Sequence, residues 1–170
     1  MGHDNVKVLD GGLPEWIRKG YPTHKKQAID QKYELGNFKS NPRNEFLITY
    51  DDICKNVVSE EFILVDARSR GRFNGTEDEP RAHLKSGKIP KSVNIPYTLL
   101  LDKGKFKSIE QIKAIFDQHI DTPSKLVFSC GSGMTACIVM LASEISFRHS
   151  TYLYDGSWTE YATKKDLVKK

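Results

Sequence analysis

One cysteine stands in the stretch Ser129-Cys130-Gly131-Ser132-Gly133-Met134-Thr135, with Lys125-Leu126-Val127-Phe128 before it and Ala136-Cys137-Ile138-Val139-Met140-Leu141-Ala142 after it. The first apolar run has the length of a buried strand, and the second is long enough to begin a buried helix. The cysteine therefore sits at a strand-to-helix turn, where the unpaired N–H groups of the helix start converge on an anion. Gly131 and Gly133 let the backbone curl and bring those amides close to the sulfur. The expected result is a thiol with a lowered pKa, largely thiolate near neutral pH. Taken alone, the same residues also suit a small buried cysteine in an ordinary turn.

Little else in the sequence carries chemistry by itself. Cys54, Cys130 and Cys137 form neither an even set nor a Cys-x-x-Cys pair, which argues against a disulfide framework and a structural zinc site. His3, His24, His83, His119 and His149 show no metal-ligand spacing, so no metal or cofactor is expected. A net charge of +4 from scattered basic residues leaves no nucleic-acid footprint, and Lys164-Lys165 with Lys169-Lys170 reads as a solvated basic tail over 163–170. No apolar run approaches the roughly 20 residues that span a bilayer, so no membrane partner is expected. No signal-peptide pattern opens the sequence. A reducing compartment, the cytoplasm or the mitochondrion, is expected and suits a reactive thiol.

The 170 residues, 38% hydrophobic and 28% charged, suffice for one sizeable core. Val6–Leu9 reads as a strand ended by Asp10-Gly11-Gly12, with Pro14 in the first turn of a short helix. Residues 20–45 lack sustained periodicity and read as a linker. Thr49 with Asp52, and Ser108 with Gln111, form helix-opening capping boxes. Phe62–Asp66 is a continuous apolar strand ending in a carboxylate, and Ser92–Pro96 a short strand stopped by proline. Residues 68–92 hold no helix of normal length. Thr151–Tyr154 is a last strand, and Asp155-Gly156-Ser157-Trp158 turns into a closing helix. This alternation predicts an α/β domain with a mainly parallel central sheet flanked by helices. Sites in such sheets form at the carboxyl ends of strands, where Asp66 and Cys130 both lie.

Leu9-Asp10-Gly11-Gly12-Leu13-Pro14-Glu15-Trp16 is similar to Tyr154-Asp155-Gly156-Ser157-Trp158-Thr159-Glu160-Tyr161 at a constant offset of 145 residues. An offset of one domain length is a tandem-repeat signature. Residues 1–19 are thus expected to be the tail end of a missing N-terminal domain, 20–45 the linker, and 46–162 the catalytic domain.

Several stretches, in order, resemble the rhodanese-like sulfurtransferases, specifically the tandem-domain 3-mercaptopyruvate sulfurtransferases. They are Val65-Asp66-Ala67-Arg68, then Gly71-Arg72-Phe73-Asn74-Gly75-Thr76-Glu77 with Glu79-Pro80-Arg81, then Gly87-Lys88-Ile89-Pro90 with Val93-Asn94-Ile95-Pro96. Cys130-Gly131-Ser132-Gly133-Met134-Thr135-Ala136 and Tyr154-Asp155-Gly156-Ser157-Trp158 complete them. The resemblance implies that Cys130 carries a persulfide, taking a sulfane sulfur from a donor and passing it to a thiol or cyanide. The acceptor it implies is thioredoxin or a sulfur-relay protein. It also implies that the amides from Gly131 to Thr135, through Ser132, Gly133 and Met134, stabilise the persulfide, with the Ser132 and Thr135 hydroxyls adding hydrogen bonds. In thiosulfate-using rhodaneses basic residues follow the cysteine; Gly131 and Ser132 are uncharged, which favours 3-mercaptopyruvate as donor. Arg72 and Arg81 match the family's substrate-binding pair, whose forked guanidinium suits a carboxylate.

Asp66 and Arg68 are expected to hold the fold by capping backbone amides and pairing, Trp158 to pack the last helix, and Cys54 and Cys137 to fill helix positions as packing residues. Lys88 stands where the family usually has a histidine. The missing first domain would leave the site open and impaired. Two other readings stay in view. A cysteine phosphatase needs an arginine six residues past the cysteine, where Ala136 stands, and the loop has no basic residue for a phosphate dianion. Thiosulfate sulfurtransferase activity, or a non-catalytic module that binds a partner, remains open.

Overall fold

The computed structural model describes residues 2–3, 5–24, 35–120, 125–146 and 150–169. In chain order its elements are α1 (Gly12–Arg18), α2 (Tyr50–Ser59), β1 (Ile63–Asp66), α3 (Arg70–Asn74), β2 (Val93–Asn94), β3 (Leu101–Asp102), β4 (Lys105–Phe106), α4 (Ile109–Asp117), β5 (Leu126–Ser129), α5 (Met134–Ser146), β6 (Thr151–Leu153) and α6 (Ser157–Lys164). The central sheet runs β2-β1-β5-β6, with every pair parallel. Asp66 stands opposite both Asn94 and Ser129, so β1, β2 and β5 end level, directly before Cys130.

The apolar runs are continuous because both faces of the sheet are covered. Val65, Leu126 and Phe128 pack with Ile112, Phe116, Val139 and Ala142 of α4 and α5. Leu64 and Val127 point the other way, into Ile53, Tyr154, Trp158 and Tyr161 from the side of α2 and α6. Each such side chain contributes about 1.5–3 kcal/mol when fully buried. Both expected capping boxes form, Thr49 with Asp52 on α2 and Ser108 with Gln111 on α4. The Thr49 hydroxyl and amide hold the Asp52 carboxyl below its usual range. Residues 68–92 contain only the five-residue α3, as their composition suggested.

The start of the chain departs from its reading. Val6–Leu9 joins no sheet, and Val6, Val8 and Leu9 are 68%, 69% and 55% exposed. A strand needs a partner edge to satisfy its backbone, and among the described residues none lies beside it. Helix α1 forms as expected but buries no residue. Polar tethers hold this segment to the β3–β4 hairpin: the Phe106 N–H donates to Asp10 Oδ1 at 3.0 Å, and Lys105 pairs with Glu15 at 2.9 Å. That hairpin has two residues per strand, too short to leave a periodic signal. Helices α1 and α6 begin at Gly12 and Ser157, the interval of 145 residues that relates the two similar sequences. Of the expected linker, residues 25–34 lie outside the described residues, as do His149 and Lys170.

Candidate active site

Cys130 follows the last residue of β5 and is 2% exposed, with α5 beginning four residues later at Met134. Burial alone would push its thiol up. The Thr135 hydroxyl and the N–H groups of Ala136, Ser132 and Thr135 outweigh burial, and the thiol lies below its ordinary value. These donors belong to the first turn of α5 and the loop before it, where no intrahelical acceptor competes for them. The shift has the expected direction, but its donors differ from the expected set.

Two corrections concern the loop. The Gly133 N–H does not serve the sulfur; it donates to Ser157 Oγ at 3.1 Å, as the Cys130 N–H does at 3.0 Å. Ala136, one residue past the expected range, supplies an amide instead. Ser132 is exposed and reaches the sulfur through its backbone N–H. The two glycines also do different work. Gly133 has φ +85°, the left-handed region that favours glycine, and a Cβ there would collide with the Asp155 carboxylate. Gly131 needs no such conformation. It provides space, because a Cβ on residue 131 would lie 2.8 Å from Arg72 Nη2.

The start of α6 clamps the loop from behind. Besides the two amides on Ser157, the Trp158 N–H donates to the Cys130 carbonyl at 3.0 Å. The Thr159 N–H and hydroxyl both donate to the Gly131 carbonyl, at 3.1 Å and 2.5 Å. Trp158 is 1% exposed, its Nε1–H donates to the Lys85 carbonyl, and Arg68 lies 4.6 Å over its ring. Its expected packing role holds, with a backbone contribution to the site added.

Arg72 arrives from α3. Its guanidinium donates to Glu79 at 2.6 Å and 3.2 Å while lying across Gly131. Glu79 also accepts from Arg68 at 2.7 Å, and Arg68 forks onto Asp66 through Nε and Nη2. Asp66 further accepts the Arg68 N–H, so both act in the framework as expected. Burial opposes charge on Arg68, yet its bonds to Asp66 and Glu79 raise its pKa above the usual value. Two arginines and two carboxylates make this quartet neutral. Arg81 is not drawn into it: the residue is exposed, and among the described residues its side chain holds no hydrogen bond or ion pair. Met134 is 79% exposed at the start of α5. Cys137, on the same helix, is exposed, and Cys54 on α2 is half-buried.

The arrangement can supply a sulfur nucleophile, a fixed cradle of donors for a negative sulfur, and one guanidinium, that of Arg72, beside the loop. Glu79, Ser157 and Thr159 were not singled out from sequence, and Ala136 was read only as the absence of a phosphatase arginine. Glu79 and Ala136 lie inside the quoted motif blocks, but their partners 11 and 6 residues away appear only once the loops are folded.

A family model for the rhodanese-like domain matches residues 37–164. Human 3-mercaptopyruvate sulfurtransferase is 41% identical over 175 aligned positions, covering 100% of this chain and 58% of the relative. Rat thiosulfate sulfurtransferase is 38% identical, over 95% of this chain and 54% of its own length. Among solved structures, SseA from Escherichia coli, a 3-mercaptopyruvate sulfotransferase, superposes with a TM-score of 0.77 at 30% identity, covering 92% of this chain and 58% of its own. The chain thus spans about half the length of the curated relatives it matches.

Proposed function

The chain belongs to the rhodanese-like domain family, and from that premise we propose that it moves a sulfane sulfur from 3-mercaptopyruvate to a thiol acceptor through a persulfide on Cys130. The Cys130 thiolate attacks the donor sulfur and a new S–S bond forms. The donor C–S bond breaks, its electron pair leaving on the pyruvate enolate, which takes up the proton of the donor thiol. An acceptor thiolate then attacks the outer sulfur and releases Cys130 as thiolate. Ser132, Thr135 and Ala136 amides, with the Thr135 hydroxyl, are placed to hold the negative sulfur in both steps. The acceptor class is a small thiol, cyanide, or a protein thiol such as thioredoxin or a sulfur-relay protein, in the cytoplasm or the mitochondrion.

The observation that carries the donor assignment is Arg72 lying over Gly131. The loop bears no charge of its own, so recognition of a donor carboxylate falls to Arg72 and Arg81. Since Glu79 already balances Arg72, the uncommitted charge is that of Arg81. A mono-anion suits this arrangement better than the thiosulfate dianion. Incubation with 3-mercaptopyruvate followed by intact and peptide mass spectrometry tests the reading. One sulfur added at Cys130, removable by cyanide as thiocyanate, is expected. Faster loading by thiosulfate would reassign the donor, and a folded protein that takes sulfur from neither would be a partner-binding module.

We also read residues 1–19 as the closing part of a second rhodanese-like unit. The similarity at the 145-residue offset, the bare apolar surface of Val6, Val8, Leu9, Leu13 and Ile17, and the greater length of the relatives support this.

A further inference from the structure

We propose that Ser157 is a positioning residue of the sulfur site, sorting the loop's amides between the scaffold and the sulfur. Its hydroxyl accepts from the Cys130 N–H and the Gly133 N–H and donates to the Tyr154 carbonyl at 2.9 Å. One proton and two lone pairs are the full capacity of a hydroxyl, so Ser157 Oγ is saturated. The residue is 0% exposed, and no solvent competes for these bonds.

Its backbone supplies the second, independent observation. Ser157 has φ +52°, a conformation disfavoured for any residue with a side chain. The related position 145 residues earlier is Gly12, also the first residue of its helix, with φ +56°. The turn thus needs the left-handed conformation in both places. Glycine fills it where no cysteine loop lies alongside, and serine fills it where one does. A serine held in glycine's conformation, buried, with two bonds to the loop and one to the Tyr154 carbonyl, is there for its hydroxyl.

The effect on chemistry follows from which amides remain. With the Cys130 and Gly133 N–H groups tied back, and the Cys130 and Gly131 carbonyls held by Trp158 and Thr159, the peptide planes between are fixed. The N–H groups of Ser132, Thr135 and Ala136 are then already aimed when negative charge collects on sulfur. Such donors act without reorganising at the moment of reaction. This inference rests on Cys130 being the sulfur carrier, but its first readout does not.

Ser157→Gly suits the backbone conformation and removes the hydroxymethyl group, whereas Ser157→Ala removes the hydroxyl alone and keeps the strain. In Ser157→Gly the midpoint of Cys130 alkylation by iodoacetamide against pH should move up, with thermal melting close to the unmodified protein. Loading from 3-mercaptopyruvate should fall about 10- to 100-fold in kcat with KM little changed. Ser157→Ala should show the same shifts and a lower melting temperature. An unchanged alkylation midpoint in a folded Ser157→Gly would overturn the proposal, whatever happens to loading. A raised midpoint in a protein that 3-mercaptopyruvate never loads would sustain Ser157's role and sink the sulfur-transfer reading. Should neither variant fold, amide exchange in the unmodified chain decides. Alkylating Cys130 should alter exchange at Ser132, Thr135 and Ala136 and leave Cys130 and Gly133 slow; a uniform response at all five overturns the proposal.

Discussion

Thr135 is the side chain that most strengthens the Cys130 thiolate, because its hydroxyl bond leads the contributions that offset burial. The folded thiol pKa is depressed, so the thiolate's contribution to stability is present above the unfolded thiol's value, about 8.5. That contribution is lost as pH falls through the folded value. Thr135→Val keeps the shape and removes the hydroxyl. Its alkylation midpoint should rise, so reactivity relative to the unmodified protein falls most at neutral pH and recovers in alkaline buffer. A pH series of iodoacetamide rates checks this, and a deficit of equal size at every pH would disprove it. At this scale Cys130 was legible because a strand, a cysteine, two glycines and a helix lie contiguously. The separate uses of the two glycines were not. Gly133 answers to Asp155, 22 residues away in sequence, and Gly131 to Arg72, 59 residues away.

Among the elements, local signals were read well and partner-dependent ones were not. The capping boxes of α2 and α4 are complete within four residues, and β1 and β5 announce themselves as unbroken apolar runs. Val6–Leu9 has a strand's composition but, among the described residues, no neighbouring edge, and composition cannot supply one. The junction of α3 with β1 was legible only as a list of charges. Folding turns it into a buried ladder of Asp66, Arg68, Glu79 and Arg72. The two ends of that ladder should behave differently. Arg68 has a side chain 0% exposed, so Glu79→Ala leaves a charge buried with one partner lost. A stability loss of about 3–5 kcal/mol is expected on breaking such a pair. Arg72 is 19% exposed at its side chain, and Arg72→Ala leaves the buried Glu79 its bond to Arg68, so it should cost less stability than Glu79→Ala, which strips a partner from two arginines, while raising KM for the donor several-fold. Denaturant melts beside donor titrations separate the two. Equal destabilisation by both changes would mean that Arg72 belongs to the scaffold and does not face the donor.

For the whole molecule, the rhodanese-like domain supplies the cradle and the framework cations, and an exposed apolar strip lies on the same side as α5. Val8 and Leu9 line an apolar groove with Leu101, Phe106, Ile138 and Leu141, and Cys137 opens into it from the sulfur-bearing helix. Leu13 and Ile17, four residues apart on α1, are bare as well, at 61% and 57% exposure. The second unit proposed above, pairing with Val6–Leu9 as β5 pairs with β6, would cover this strip. By standing beside α5 it would also narrow access to the sulfur loop. The 170-residue chain alone should hold the depressed thiol, since every donor to Cys130 is internal to it. On the proposal that a second unit helps exclude water and align the donor, it should load slowly; misplacement of about 1 Å can lower a rate about 100-fold. Compared with the human 3-mercaptopyruvate relative under the same conditions, it should show similar alkylation kinetics and a sulfur-loading rate about 10- to 100-fold lower. Equal loading rates would mean that one unit is a complete site and that the bare strip serves another purpose. Slow alkylation as well as slow loading would locate the deficit in the loop itself.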